Sequence, residues 1–488
     1  MLWHITKREL YDHLTSLRFA LTVGLVALLM ALNALVFVES DYTQRVAQYS
    51  ANIALTMDRI RASCQHLNEL ATQGPVRLYK RPSPLAFCAN DQEDALPIRM
   101  DAEGRGRWSH GDTRHESTIY RWRPPWILDY PQDTYRKGSM LPPVAALDWA
   151  FIVGVVLSFV AILFTFDAIS GERESGTLAL AMSNPVSRGT FLLGKFFGAF
   201  IAIAVPMLIG MVLSLLIVTL SGVVSFRGDE WAQIGLMGTL SLVYVALFIG
   251  VGLAVSSRMA HSATSLILLL TVWTVVVALI PNTLGSVVKP LRKVPPQREF
   301  SQQQRATAEV LEFRGESLEE TFKYGSPSQP NPQRGAVEHW AKPMTQWINE
   351  NTRLNNARLD TQFAQVQFAR QVRRVSPAVI YTYAMEALAG TGFERHRQFV
   401  NAARRYRGRF VEFIQEADRA DPDSFHIYYL KEGLSSKPVS FEAVPGFVEP
   451  SGVGVAMRVA LVDFSLLIVM AVVGFMASYV AFLKSRVS

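Results

Sequence analysis

Six stretches of this chain are apolar over a length that suits a lipid bilayer: Phe19–Val38, Leu147–Ile169, Phe191–Leu220, Trp231–Val255, Ala263–Ile280 and Gly454–Leu483. A helix needs about 20 such residues to cross the hydrocarbon layer. Open strands would leave backbone groups unsatisfied in lipid, so the stretches read as helices. The third is long and holds Pro206, which predicts a tilt, a kink or an interfacial end. The fifth is short for a span. Half of the 488 residues are hydrophobic and only 18% are charged, whereas soluble domains carry about a quarter. A disordered or acidic binding protein is excluded, and the composition argues against a single soluble domain.

Lys7, Arg8 and Arg18 precede the first stretch, as in a secretory signal. Its apolar core is too long for one, and Val36-Phe37-Val38-Glu39-Ser40 offers no small residues for cleavage, so it reads as a retained signal anchor. With six spans, Lys7, Arg8, Arg18, Arg173, Arg188, Lys195, Arg258, Lys484 and Arg486 fall on one side. The short loop Ser221–Glu230 on the other side holds only Arg227, beside Asp229 and Glu230. The positive-inside rule then puts both termini, residues 1–18 and 484–488, in the cytoplasm. Residues 39–146 and 281–453 lie outside.

The first outside stretch begins with a helical pattern (Tyr42, Val46, Tyr49, Ile53, Met57, Ile60) and turns into sequence punctuated by Pro and Trp. Arg81-Pro82-Ser83-Pro84, Gly104–Trp108 and Arg121–Trp126 suit short strands and turns. The second stretch predicts helices over Thr307–Lys323 and Trp347–Arg374. Ser376-Pro377 starts and Gly390 stops a further apolar helix that is too short to span, so it is either core or a piece lying on the outer membrane surface. The expected fold is an α-helical integral membrane protein with six transmembrane helices and a mixed α/β, helix-rich extracytoplasmic domain built from two insertions. Cys64 and Cys88, the only cysteines, both fall in the first insertion. A disulfide there would close a loop of about 25 residues and stabilise by roughly 3 kcal/mol; two unrelated buried thiols are the alternative. Arg404, Arg405, Arg407 and Arg409 lie in a helical pattern with aromatics and read as a solvated face, not as a nucleic-acid or lipid-headgroup patch. The partners expected of the chain include membrane lipid around the spans and no nucleic acid.

After the second span comes a charged turn and then a short helix at Thr177–Met182, before Asn184-Pro185. The run Gly171-Glu172-Arg173-Glu174-Ser175-Gly176-Thr177-Leu178, followed by Asn184-Pro185-Val186-Ser187-Arg188-Gly189-Thr190 and Gly194-Lys195, resembles the loop between spans two and three in permease subunits of type-2 ABC (ABC-2) exporters. Trp3–Tyr11 is similar to that family's interfacial helix before the first span. Ser376-Pro377 with Leu388–Gly392 resembles a subgroup with large outside insertions, which includes gliding-motility-type permeases.

The resemblance implies a cytoplasmic coupling loop over residues 170–190, whose short helix docks in a groove of a separate ATP-binding subunit. Glu172, Arg173, Glu174, Gly176, Thr177, Leu178 and Arg188 would be the coupling residues. It further implies two ATP-binding subunits that carry ATP and Mg, a second permease copy or paralogue, outward transport, and a place in the bacterial cytoplasmic membrane. A solvated helix end is the plain alternative for Glu172 and Glu174. Asp167, one turn inside, would pair with Arg173 or Arg188, or stand as a plain interfacial acid.

Gly189–Phe196 nearly matches the phosphate-binding loop, but its last position is Phe, no strand precedes it and a span follows, so it carries no nucleotide. No catalytic or zinc signature appears, so if the chain is a pump it needs a separate ATPase. Asp463 lies in the last span, five residues after Arg458, as a translocation-path candidate or a snorkelling partner of that arginine. Two functions remain: an ATP-driven exporter permease, or an ATP-driven scaffold that acts on an extracytoplasmic partner protein without transport.

Overall fold

The computed structural model describes residues 2–75, 77–90, 99–103, 125–129, 147–183, 185–288, 299–300, 302–303, 306, 333–427, 433–449 and 453–485. Among the described residues six helices are long and apolar enough to cross a membrane: Leu17–Ser63, Trp149–Glu174, Arg188–Leu220, Gly228–Arg258, Ser262–Leu284 and Met457–Leu483. The chain is a multi-pass α-helical membrane protein. The N-terminal helix from Leu2 and the end of the last span near Leu483 both meet the start of the third span, at the terminal face of the bundle, and the described parts of both insertions leave from the other end, the insertion face.

Ser16 starts the first span by accepting the Phe19 N–H at 3.2 Å. The rod then changes character without ending. Leu17–Val36 is apolar, Phe37–Tyr42 is a π-type turn, and Thr43–Ser63 continues as a mostly polar helix. The third span is one helix of 33 residues with Pro206 inside it, about 50 Å at 1.5 Å per residue. The excess over the bilayer is an interfacial start, which lies beneath the N-terminal helix Leu2–Leu14. The fifth span gains length from a π-type turn, Thr274–Leu279, that carries Ser262–Trp273 on into Ile280–Val288. Gly210, Gly250 and Gly252 allow close helix approach, whereas Gly235 and Gly238 face open space.

The apolar helix Pro377–Ala389 belongs to the core, not to the membrane surface. Ser376 caps it and donates to the Val276 carbonyl of span five at 2.7 Å. Tyr381 stacks on Tyr244 of span four with centroids 4.5 Å apart and shares a 2.8 Å hydrogen bond with Ser241. Only Thr382 among its residues is partly exposed, so the helix is a half-length piece held inside the bundle near the insertion face. Its polar ends are matched by protein, the condition for irregular backbone at that depth.

The two insertions share one core. Ile60, Cys64, Leu67 and Leu70 from the first pack with Leu359, Phe399, Tyr406, Phe410 and Ile414 from the second. Three short strands, β1 (Arg77–Tyr79), β2 (Arg99–Glu103) and β3 (Pro125–Asp129), form an antiparallel sheet in that order, with Leu78 opposite Met100 and a register irregularity between Asp101 and Glu103 of β2. The long helix Gln333–Arg373 starts well before the expected Trp347. The basic helix Phe393–Arg419 is only half a solvated face: Arg404 pairs with Asp360 at 2.8 Å and Arg407 bonds Thr352 at 3.1 Å, while Arg405 and Arg409 are exposed. The helix expected over Thr307–Lys323, the stretch Gly104–Trp108 and Asn184 of the loop motif lie outside the described residues.

Two sequence expectations are corrected here. Cys64 and Cys88 are free thiols, not a disulfide. Cys64 belongs to the insertion core, and Cys88 packs with Phe87 and Trp149 in the bundle core. Burial raises both thiol pKa values above the usual range. Asp463 is not paired with Arg458. It is fully buried and receives two hydrogen bonds from Arg374, at 2.7 and 3.1 Å, because the end of the long insertion helix reaches the last span.

Candidate functional site

At the terminal face, the charged turn after the second span ties the bundle together. Span two ends its regular helix at Thr165, and Ser170–Glu174 forms one further turn. The Ile169 and Ser170 N–H groups donate to Ser256 Oγ of span four at 3.0 and 3.1 Å. Every charge in the turn then has its own partner. Glu172 bonds Lys195 of span three. Arg173 donates to the Ser257 and Met259 carbonyls at the end of span four, at 3.0 and 2.6 Å. Glu174 accepts from the N–H and hydroxyl of Ser262, at 3.1 and 2.9 Å, where span five begins. The signs suit helix ends: the cation meets spare carbonyls at a C-terminus and the anion meets spare N–H groups at an N-terminus.

Two further contacts complete the belt. Arg18 at the start of span one donates to Asp167 at 3.0 Å, so that acid pairs with neither Arg173 nor Arg188. Arg188 donates to the Leu483 carbonyl at 2.7 Å and so caps span six. The motif, with its neighbours, therefore contacts the terminal-face ends of all the other spans.

Gly176 adopts φ +74°, the left-handed conformation that turns the chain sharply and favours glycine. The short helix Thr177–Ser183 follows. Leu178 is buried against the bundle and anchors it, while Thr177, Ala179 and Leu180 are exposed, Leu180 at 71%. This gives a rigid, partly apolar knob projecting from a turn fastened to the spans.

Lys195 is the hub that sequence reasoning missed. It is 5% exposed and sits between Glu172 and Glu9 of the N-terminal helix, whose Oε1 lies 2.7 Å away. That helix lies directly on span three because the contact positions are glycines. A Cβ on Gly194 would come within 2.5 Å of Ile5, and one on Gly198 within 2.6 Å of Glu9 Cβ. Two carboxylates thus share one ammonium, and burial holds the Glu9 carboxyl above the usual range even beside Lys195. His13, packed against Phe164 with centroids 5.2 Å apart, has its pKa lowered by burial and then by Lys195. A lone lysine one turn into a long apolar run, with Glu9 and Glu172 available on the same side, was the signal that could have found this cluster. Among the described residues no group of His, Cys, Asp and Glu could hold a metal ion.

The profile of the family described as ABC-2 family transporter protein matches residues 3–487, nearly the whole chain. The chain belongs to the ABC-2 transporter family. Among curated proteins it is similar to one named probable ABC transporter permease protein NosY from Stutzerimonas stutzeri, 40% identical over 68 residues. That match covers 14% of this chain and 25% of the relative. The NosY protein of Pseudomonas aeruginosa is 37% identical over 73 residues, covering 15% of this chain and 26% of the relative. The chain therefore spans about a quarter of the length of the curated relatives it matches. Family and bundle agree with the type expected from the loop motif.

Proposed function

We propose that this chain is the permease of an exporter in the bacterial cytoplasmic membrane, driven by ATP that a separate ATP-binding subunit hydrolyses. The terminal face is the cytoplasmic one, with both termini there. Two permeases, identical or paralogous, span the membrane, and two ATP-binding subunits carrying ATP and Mg dock on the Thr177–Ser183 helix and the neighbouring N-terminal helix. One observation carries the reading: the exposed knob is continuous with a turn that grips the ends of the other spans. A push on Leu180 therefore reaches spans three, four and five through Glu172, Arg173 and Glu174, with no soft loop between. Rigid elements with fixed polar contacts move as units, which suits rocking between inward- and outward-open states. The chain's own residues supply docking and transmission and no hydrolysis.

The test is affinity purification of the tagged chain in mild detergent, beside a Glu172→Ala/Glu174→Ala variant and a Leu180→Glu variant. An ATP-binding subunit should co-purify with the wild type. The Leu180→Glu variant should lose it, and the double variant should keep it with reduced stimulation of ATP turnover. An intact preparation without any ATP-binding subunit overturns the reading.

A further inference from the structure

Where the long insertion helix Gln333–Arg373 meets the bundle, its last turn carries Arg370 and Arg373, with Arg374 next in the chain. Two of the three cations are matched. Arg370 lies 3.2 Å from Glu386 and Arg374 lies 2.7 Å from Asp463, and both carboxylates are fully buried. Three guanidiniums against two carboxylates leave one positive charge, and it falls on Arg373. Among the described residues Arg373 has no ion-pair partner, and its Nε is buried without an acceptor.

Tyr383 lies at the centre of the cluster. The Arg370 guanidinium is 3.5 Å from its ring centroid and that of Arg374 is 6.0 Å away. Arg373 is also close enough to act on it electrostatically. The Tyr383 hydroxyl is buried, again with no hydrogen-bond partner, on a residue 2% exposed. Two unmatched donors of the same cluster, one cationic, thus sit at the insertion-side edge of the bundle. Beside them Val375 is exposed, and Val462, Leu466 and Val469 of span six form an exposed apolar stripe next to Asp463.

We propose that Arg373 and the Tyr383 hydroxyl bind the phosphate of a phospholipid in the insertion-side leaflet, with its acyl chains along Val462, Leu466 and Val469. A guanidinium left without a counter-charge at the edge of a bilayer is costly. A phosphate oxygen pair matches the fork of an arginine and accepts from a hydroxyl as well. Lipid phosphate is the anion held at that depth wherever the protein sits in a membrane. The apolar stripe favours it over a free anion, which would gain nothing from exposed valines and leucine. This site lies far along the bundle from the Glu172 turn and stands whether or not an ATP-binding subunit docks there.

The test titrates the full-length chain in detergent with phosphatidylglycerol and counts retained lipid by native mass spectrometry. Arg373→Gln should weaken retention about tenfold, the size of a lost charge-assisted hydrogen bond. Tyr383→Phe, which keeps the ring under Arg370, should weaken it a few-fold, and Arg405→Gln on the exposed basic face should leave it unchanged. A galactosyl diacylglycerol, which lacks phosphate, should bind the wild type no better than phosphatidylglycerol binds Arg373→Gln. Equal phosphatidylglycerol retention by wild type, Arg373→Gln and Tyr383→Phe overturns the assignment, as does equal retention of the galactolipid. Inorganic phosphate that displaces the lipid at comparable concentration overturns the lipid in favour of a free anion. Should Arg373→Gln misfold, Arg373→Lys and Tyr383→Phe still decide it.

Discussion

Replacing Lys195 with Met should free the N-terminal helix from span three, while replacing Glu9 with Gln should not. The magnitude follows from the charge count in the cluster. Lys195 is 5% exposed and stands between Glu9, 14% exposed, and Glu172, 26% exposed. Removing one partner of a buried ion pair costs about 3–5 kcal/mol, because the remaining charge is left unpaired. Both carboxylates keep some water, and Glu9 with its raised pKa takes up a proton readily, so the lower end, about 3 kcal/mol, applies. Glu9→Gln instead leaves one ammonium facing one carboxylate and keeps an oxygen to accept from Lys195. Its cost should be about 0–1 kcal/mol. Hydrogen exchange of the amides of Leu2–Leu14, measured by mass spectrometry in detergent, reads the difference directly. Lys195→Met should lower their protection by about a hundredfold, at 1.4 kcal/mol per factor of ten. Unchanged protection in Lys195→Met, or an equal loss in Glu9→Gln, would refute the reasoning. The pH dependence has a definite sign. Glu9 is raised in the folded state, so its contribution is fully present below its unfolded pKa and is lost as pH rises through the folded value. Protection of this helix should fall across that window, and Glu9→Gln should flatten the slope.

Gly198→Leu should detach the same helix by steric means, since even a Cβ there approaches Glu9 Cβ to 2.6 Å; rapid exchange over Leu2–Leu14 with the six spans still protected is the expected pattern. Asp463→Asn should strand Arg374 and destabilise the chain by about 3 kcal/mol; thermal unfolding in detergent should show partial recovery in the Asp463→Asn/Arg374→Met double variant. In the insertion core His396 is held neutral by burial and then by nearby Lys80, its pKa pushed down to about 3. The stability it confers is therefore present above its unfolded pKa, about 6.5, and lost as pH falls toward 3; a pH titration of near-ultraviolet circular dichroism should show this loss reduced in His396→Gln.

Much of the architecture is written along the chain. The six spans follow from local apolar runs, since a helix satisfies its own backbone in lipid without help from elsewhere. Ser376-Pro377 and Gly390 likewise mark a helix that begins and ends there, and the structure has it at Pro377–Ala389. The Gly171–Leu178 motif identified the family because its order and spacing are local properties.

Partners were not legible in the same way. The sequence left a Cys64–Cys88 disulfide open beside two unrelated thiols, and the two sit in separate cores; it offered Arg458 as a partner for Asp463, although its cation is Arg374, 89 positions away. It placed Gly194-Lys195 in the loop motif and rejected it as a nucleotide loop, but gave Lys195 no partners, although Lys195 joins three elements. Charge identity is fixed at each position, but the pairing of charges depends on which helix ends meet, and in this bundle those ends come from segments up to hundreds of residues apart. Hydrophobic length alone determined where the chain crosses the membrane; helix packing decided which buried acid each base neutralises, because a charge in a low-dielectric interior must be matched by whatever the fold brings within hydrogen-bond reach.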